Sequence, residues 1–185
     1  YLGQESGRAL AEVIFGDINP GGKLPITIPR SVGHIPAYYN HKPAARRGYL
    51  FDDVTPLYSF GFGLSYTQFK FGKPRLKKSI IDRRESTTVR IDVTNTGPRV
   101  GDEVVQMYIR DKVSSVTRPV KELKGFQRIT LAPGETQTVS LEITPECLAF
   151  YNIDMKYVVE PGEFEIMIGN SSRDQDLQTV LLRVK

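Results

Sequence analysis

The 185-residue chain is long enough for one large domain, or for a small domain plus part of another, each with its own hydrophobic core. Its single cysteine, Cys147, cannot form an intrachain disulfide, and its two histidines, His34 and His41, make no cluster with zinc-ligand spacing. No apolar run approaches the roughly 18 residues of a membrane span. The net charge of +4 comes without a nucleic-acid motif. We therefore expect a globular protein with no metal, no cofactor, no nucleic acid and no membrane partner.

The first predicted element is a short amphipathic helix over residues 5–15, where apolar residues recur at helical spacing and Gly16 provides a stop. Turn-forming residues follow, and residues 24–29 then predict a short apolar strand that its prolines limit to a sheet edge. One helix and one strand cannot bury both faces of a sheet. The chain is therefore expected to begin in the middle of a domain.

Residues 30–66 have no sustained periodicity and are rich in Pro, Gly, Tyr and Phe, which is typical of a long ordered loop. Its aromatic side chains should anchor it by packing against neighbouring surfaces. These aromatics are Tyr38, Tyr39, Tyr49, Phe51, Tyr58, Phe60 and Phe62. Ordered loops of this length usually have a function.

Beyond Lys73 the pattern changes to alternation between apolar and polar residues, which predicts half-buried strands separated by turns. The predicted strands are residues 88–94, 104–109, 122–129, 136–143, 156–159, 164–168 and 177–184. This number of short strands favours a two-sheet antiparallel sandwich. Because there is neither a cysteine pair nor a tryptophan, the antibody-type core is excluded and a fibronectin-like sandwich remains.

Aromatic residues in or beside these strands are expected in the core, which leaves no exposed aromatic row of the kind that sugar-binding modules present. They are Tyr108, Phe126, Phe150, Tyr151, Tyr157 and Phe164. Cys147 follows a proline in a predicted turn, where a buried structural role is expected.

Two stretches of the chain have a recognisable pattern. Residues 3–25 read GQESGRALAEVIFGDINPGGKLP, which closely resembles the GQExG…ALADVLFGDxNPSGKLP segment of glycoside hydrolase family 3. Residues 56–67, PLYSFGFGLSYT, are similar to the PLYPFGxGLSYT signature that precedes its terminal domain. Further stretches, such as GDEVVQMY at 101–108 and LAPGE at 131–135, resemble the family's fibronectin type III-like domain. Residues 38–53 look more like bacterial β-xylosidase and β-glucosidase members.

The resemblance implies a mainly β fold in three parts. Residues 1–33 would be the C-terminal end of an α/β sandwich domain, and residues 34–70 an ordered connecting loop. Residues 71–185 would be a fibronectin type III-like, and so immunoglobulin-like, β-sandwich domain. Family members are often periplasmic or secreted, which implies the same localisation here.

The resemblance also implies the C-terminal portion of a retaining, exo-acting β-glycosidase that hydrolyses terminal β-glucosides or β-xylosides. Such enzymes need two carboxylates about 5 to 5.5 Å apart. In the family these lie in domains upstream of the GQExG segment, so we expect no catalytic residue in this chain. The acidic pairs within the chain do not offer this spacing. Asp52 and Asp53 are adjacent and would point in different directions on extended chain, and Glu5 and Glu12 would lie about 10.5 Å apart on a helix.

The loop offers the best contact with a β-linked oligosaccharide or aryl glycoside, through Arg46, Arg47, Tyr49 and Asp52. The same residues could instead hold an interface with the N-terminal catalytic domains. The histidines are expected to be ordinary surface or interface residues. A second function stays open, that of a non-catalytic β-sandwich module that binds a protein partner or polysaccharide. Homodimer formation and the choice between glucoside and xyloside also stay open.

Overall fold

A computed structural model describes residues 3–43 and 53–185 of the chain. Helix α1 spans Ser6–Ile14, close to the predicted bounds, and ends before Gly16, whose φ of +82° favours glycine. None of its residues is buried, and Leu10, Ile14 and Phe15 are 50%, 68% and 82% exposed. The helix is thus amphipathic, with its apolar face uncovered. No helix among the described residues has the length and apolarity to cross a bilayer.

The C-terminal end of α1 is tied to residues that come much later in the chain. The Tyr66 hydroxyl donates to the Val13 carbonyl at 2.7 Å, and Arg99 Nη1 donates to the Gly16 carbonyl at 2.7 Å. The Arg99 guanidinium also lies 5.5 Å above the Tyr66 ring. The Val13 carbonyl, which also accepts the Gly16 amide at 3.2 Å, lies in the last turn of the helix, and Gly16 follows its end, so these two donors fix the position of the C-terminal end of α1.

The strand predicted at residues 24–29 is wrong. The segment lies antiparallel to residues 58–62, but it forms only an isolated bridge between Ile28 and Tyr58 among the described residues. The amides of Leu24 and Ile28 donate to the carbonyls of Phe62 and Tyr58, each at 2.8 Å. A regular ladder does not form because the two prolines of the segment have no amide hydrogen to donate.

A β-sandwich begins at Phe69. In the described part of the chain its strands are β1 (Phe69–Phe71), β2 (Arg75–Leu76), β3 (Ile80–Ile81), β4 (Thr87–Asn95), β5 (Gly101–Asp111), β6 (Glu122–Leu131), β7 (Thr136–Ile143), β8 (Phe150–Tyr151), β9 (Tyr157–Val158), β10 (Gly162–Gly169) and β11 (Leu177–Val184). A four-residue helix, α2 (Pro145–Leu148), precedes β8. The short strands β1, β2, β3 and β8 were not predicted from the sequence.

The predicted two-sheet sandwich is confirmed. In the first sheet β4 pairs antiparallel with β7, and also with β1 and β2. The second sheet has the order β3-β11-β10-β5-β6, in which only the short β3–β11 contact is parallel. Strands β8 and β9 form a separate hairpin. The register between β5 and β6 shifts at a bulge between Met107 and Tyr108.

The core lies between the two sheets and follows the predicted alternation. In β4, Val89, Ile91 and Val93 are fully buried, and Val105 and Met107 of β5 face the same core. Each such side chain contributes roughly 1.5 to 3 kcal/mol when it leaves water. Cys147 is half-buried and packs against this cluster.

Three of the six aromatics expected in the core are exposed instead. Phe164 lies in the core and Phe150 is buried, whereas Tyr108 is buried on the outer face of β5, where it contacts Tyr39. Phe126 is 67% exposed, and Tyr151 and Tyr157 are 61% and 54% exposed. Tyr151 and Tyr157 are cross-strand partners in the β8–β9 hairpin, which lies outside the two main sheets, and Phe126 lies on β6 at a sheet edge. Phe126 lies on the face of β6 that also carries the exposed Arg128 and Thr130, opposite the face of the buried Ile129 and Leu131.

Candidate functional site in the anchored aromatic loop

The four residues predicted to contact substrate, Arg46, Arg47, Tyr49 and Asp52, lie outside the described residues. The segments on either side of them, residues 38–43 and 53–62, are described. The way these flanking segments are held therefore defines the geometry of the candidate site.

Three aromatic rings join the two flanking segments to the sandwich. Tyr39 stacks on Phe60 with ring centroids 4.3 Å apart and an interplanar angle of 22°. The edge of Tyr39 also meets the fully buried Tyr108 of β5, with centroids 5.7 Å apart. We call Tyr39, Phe60 and Tyr108 the aromatic clamp. It brings together two residues, Tyr39 and Phe60, that are 21 positions apart in the sequence.

A buried amide lies beside the aromatic clamp. Gln106 Nε2 donates to the carbonyls of Gly61 at 3.0 Å and Asn170 at 2.9 Å, and its Oε1 accepts the Tyr108 hydroxyl. Gln106 is 3% exposed. Burial, with a smaller contribution from Tyr39, raises the pKa of the Tyr108 phenol well above its usual range, so the phenol stays a hydrogen-bond donor.

The backbone of residues 39–41 follows the start of β6. The Leu123 amide donates to the Tyr39 hydroxyl at 3.1 Å, and the Val120 amide donates to the His41 carbonyl at 2.9 Å. The incoming segment of the loop is therefore held by backbone donors as well as by ring packing.

The outgoing segment is held by the turn after β10. The Ser172 amide donates to the Phe60 carbonyl at 2.9 Å, and Lys121, which is 8% exposed, donates to the Ser172 carbonyl at 2.9 Å and to Asp174. Three separate parts of the sandwich, β5, the start of β6 and this turn, thus hold the two ends of the loop.

A polar cluster holds the chain where it leaves the undescribed segment. Asp53 accepts hydrogen bonds from the Thr55 amide and hydroxyl, both at 2.8 Å, and from Arg30 Nη2 at 3.1 Å. These donors, Thr55 first and Arg30 after it, hold the pKa of Asp53 below its usual range. Asp53 is thus an anion whose oxygens point at structural partners.

The two stretches that support the family resemblance meet at the sandwich. Asn19 Oδ1 accepts the Tyr66 amide at 2.8 Å, and its Nδ2 donates to the Val100 carbonyl at 3.0 Å. Close by, Lys23 Nζ lies 2.6 Å from Glu103 Oε1, and the two side chains are 14% and 4% exposed. We call this contact the junction ion pair. It joins the first stretch to the beginning of β5.

These contacts show what the sequence predicted and what it missed. Anchoring of the loop by its aromatic side chains was predicted, and it is confirmed for Tyr39 and Phe60, whereas Tyr49 and Phe51 lie outside the described residues. The role of Gln106 was missed, because a polar residue between apolar neighbours in a strand is also the pattern of a solvated face. Among the described residues no group of three His, Cys, Asp or Glu side chains could hold a metal ion.

Comparison with known proteins identifies the family. A family model described as the glycosyl hydrolase family 3 C-terminal domain matches residues 1–66, and a fibronectin type III-like domain model matches residues 103–172. The chain belongs to glycoside hydrolase family 3. The predicted resemblance and the mainly β fold class are therefore confirmed, whereas the domain boundaries at residues 33 and 70 stay predictions.

Bacterial members of family 3 match along nearly the whole chain. A beta-xylosidase of Formosa agariphila is 53% identical over 100% of this chain and 26% of its own length. A periplasmic beta-glucosidase of Salmonella typhimurium is 49% identical over 93% of this chain and 24% of its own length. This chain spans about a quarter of the length of the curated relatives it matches.

Solved structures of family members share the fold. A β-glucosidase from Erythrobacter marinus superposes with a TM-score of 0.91 at 48% identity, and covers 97% of this chain and 24% of that protein. The Listeria innocua beta-glucosidase in complex with glucose gives a TM-score of 0.92 at 36% identity, over 98% of this chain and 26% of that protein.

Proposed function

We propose that this chain is the C-terminal portion of a retaining, exo-acting β-glycosidase that hydrolyses terminal β-glucosides or β-xylosides. The observation that supports this is the similarity to a named beta-xylosidase along the full length of the chain. A named beta-glucosidase of nearly equal identity supports the second sugar. The nucleophile and the acid/base, about 5 to 5.5 Å apart in such enzymes, are assigned to the part of the enzyme upstream of this chain.

Within that enzyme, the chain gives structural support and contributes to the rim of the substrate pocket. Arg46 and Arg47 would donate hydrogen bonds to hydroxyl groups of a β-linked oligosaccharide or aryl glycoside, and Tyr49 would stack on a sugar ring. Asp52 would accept from a sugar hydroxyl. The support for this role is that the sandwich holds both ends of the loop that contains these residues, through the aromatic clamp and Gln106.

The catalytic domains of the same enzyme are the proposed partner of the exposed apolar face of α1. Leu10, Ile14 and Phe15 together present the kind of apolar surface that soluble proteins normally cover. The position of this helix is fixed at its C-terminal end by Tyr66 and Arg99, so it would dock as a rigid element.

A non-catalytic module that binds a protein or polysaccharide is not favoured, because the relatives that match the chain are named as glycosidases. Periplasmic or secreted localisation is part of the proposal, and a relative with the word periplasmic in its name supports it. Homodimer formation stays a prediction, which light scattering of the full-length enzyme would decide.

The activity is tested by hydrolysis of nitrophenyl β-glucoside and β-xyloside by the full-length enzyme and, in parallel, by the 185-residue chain of verified mass. We expect the full-length enzyme to hydrolyse at least one of the two substrates and the 185-residue chain alone to hydrolyse neither. NMR should show that the sugar first released has the β configuration. Turnover by the chain alone would place the carboxylates within it, and an α-configured first product would exclude a retaining mechanism.

The rim role is tested by Arg46→Ala and Tyr49→Ala in the full-length enzyme. We expect each to raise KM about tenfold, which corresponds to the loss of roughly one good hydrogen bond or ring contact. Arg90→Ala is the matched control, because Arg90 is an exposed arginine on β4. A KM that changes no more than in the control would show that the loop serves the domain interface instead.

A further inference from the structure

Gln106 of β5 is a buried polar side chain that bonds to the candidate loop and to its support, besides a 3.5 Å contact with the Val104 carbonyl of its own strand. Gln106 Nε2 donates to Gly61, at the outgoing end of the loop, and to Asn170, in the turn after β10. Its Oε1 accepts from Tyr108 of the aromatic clamp. With Gln106 only 3% exposed, water cannot replace these partners.

Gly61 and Gln106 fit each other closely. Gly61 has a φ of +77°, and a Cβ at this position would lie 2.0 Å from Gln106 Oε1. A side chain at residue 61 would therefore collide with the amide in a backbone conformation that already favours glycine. The outgoing end of the loop approaches the sheet as closely as the backbone allows.

The other end of the loop depends on the same amide indirectly. The Tyr108 hydroxyl is fixed by Gln106, and the Tyr108 ring meets Tyr39, which stacks on Phe60. Gln106 thus contacts the outgoing end directly and orients the ring against which the incoming end packs.

We propose that Gln106 is a positioning residue for substrate binding, which acts through Gly61 and the aromatic clamp and does not itself touch substrate. This rests on the proposed function, in which the loop contributes to the pocket rim. The carboxamide is required because it donates to two carbonyls and accepts from one hydroxyl at the same time. Of the side chains of similar size, glutamate keeps the acceptor but loses both donors.

The test uses Gln106→Glu in the full-length enzyme, with Gln137→Glu on the exposed face of β7 as the matched control. KM and kcat are measured on whichever of nitrophenyl β-glucoside or β-xyloside the wild type hydrolyses faster. We expect KM to rise about tenfold in Gln106→Glu with kcat within about twofold, because the loop binds substrate and does not perform the chemistry. No change is expected in the control.

A second readout reports on the loop independently of activity. Native-state tryptic cleavage after Arg46 and Arg47 should become about tenfold faster in Gln106→Glu, because release of the loop ends increases local opening. Tyr108→Phe removes the hydroxyl alone, and a smaller change in the same direction is expected. This conservative variant keeps the proposal testable if Gln106→Glu fails to fold.

The outcomes are distinguishable. A rise in both KM and cleavage supports the positioning role. Faster cleavage with unchanged KM would show that Gln106 anchors the loop but positions nothing for substrate, which overturns the proposal. Unchanged cleavage and KM would overturn the anchoring itself. If the wild-type enzyme hydrolyses neither glycoside, the proposed function fails with the substrate role that rests on it, and the cleavage rates still decide whether Gln106 anchors the loop.

Discussion

Replacing Lys23 by methionine should markedly destabilise the chain, because it leaves the buried carboxylate of Glu103 without its cation. The two charged atoms are 2.6 Å apart, and both side chains are largely buried. Removing one partner of a buried pair typically costs about 3 to 5 kcal/mol. Glu103 keeps two other donors, the amide of Val104 at 2.7 Å and the side chain of Asn170 at 3.3 Å. We therefore expect a lower cost of about 2 to 3 kcal/mol.

The assay is thermal unfolding followed by tyrosine fluorescence, since the chain has nine tyrosines and no tryptophan. For a chain of this size the expected cost corresponds to a fall in Tm of about 4 to 12 °C. The double variant Lys23→Met, Glu103→Gln should recover most of the loss, because no unpaired charge is then buried. Lys78→Met is the control, because Lys78 pairs with Glu85 at the surface and such pairs contribute about 0 to 1 kcal/mol.

Two results would refute this reasoning. A loss in Lys23→Met no larger than in Lys78→Met would show that Glu103 finds solvent or other donors once the lysine is gone. A double variant less stable than Lys23→Met would show that the Glu103 carboxylate is stabilised mainly by the amides of Val104 and Asn170.

Three further predictions concern single positions. Met155 has a φ of +58° and is 76% exposed, so Met155→Gly should stabilise the chain by about 1 kcal/mol, and an unchanged Tm would contradict this. Burial raises the pKa of Asp111 more than Arg118, 3.8 Å away, lowers it, so the charged carboxylate destabilises the fold above that raised pKa and this destabilisation disappears as the pH falls through it. Asp111→Asn should therefore match or exceed the wild type in stability at pH 7 and lose this advantage in acid, as urea unfolding at several pH values would show. In this variant Arg118 keeps its pair with Glu122 at 2.6 Å. The Thr130 hydroxyl and Arg128 hold the pKa of Asp102 low, so its stabilising effect is present at neutral pH and lost as the pH falls through the lowered pKa. Asp102→Asn should remove that part of the acid sensitivity, and an identical acid limb in the variant would argue against it.

The long strands and the helix could be predicted because local pattern and final environment agree. The predicted residues 136–143 and 177–184 coincide with β7 and β11, and the helix prediction differs from α1 by one residue at each end. In the two strands the apolar period decides the element, because one face meets a continuous core, whereas α1 is identified by its helical period and by Gly16, although none of its residues is buried. The strand prediction for residues 24–29 was wrong because local pattern and final environment disagree there. Their composition is apolar, but two prolines remove the donors that a ladder needs.

The short strands and the exposed aromatics depend on partners that are distant in sequence. Strand β2 has two residues and exists because Arg75 and Leu76 meet β4, some fourteen positions later. Phe126 is exposed because the covering loop segment crosses β5 and the start of β6 but leaves this part of the edge strand open. A periodic pattern contains no information on either contact, so neither could be derived from it.

The candidate site was predictable in its composition and not in its support. The aromatic content of residues 30–66 indicated that the loop is anchored, but the surface to which it is anchored could be identified only from the folded structure. That surface is the outer face of β5, where Gln106 and Tyr108 alternate with the core residues Val105 and Met107. The strand is thus buried on both sides, and its sequence reflects two separate requirements that a single hydrophobicity pattern cannot separate.

The double burial of β5 bears on what the sandwich is for. An independent module appended by a linker would present a solvated outer face, with polar side chains free to rotate. Here the outer face of β5 is covered by Tyr39, Phe60 and Gly61. The beginning of the strand is bound to the upstream segment through the ion pair between Lys23 and Glu103. Because these contacts come from segments on both sides of the candidate loop, movement of the sandwich relative to the upstream segment would have to move the loop as well. The residues of the family signatures upstream of the sandwich and the strand residues within it thus meet in one set of contacts, which holds both ends of the loop to the sandwich.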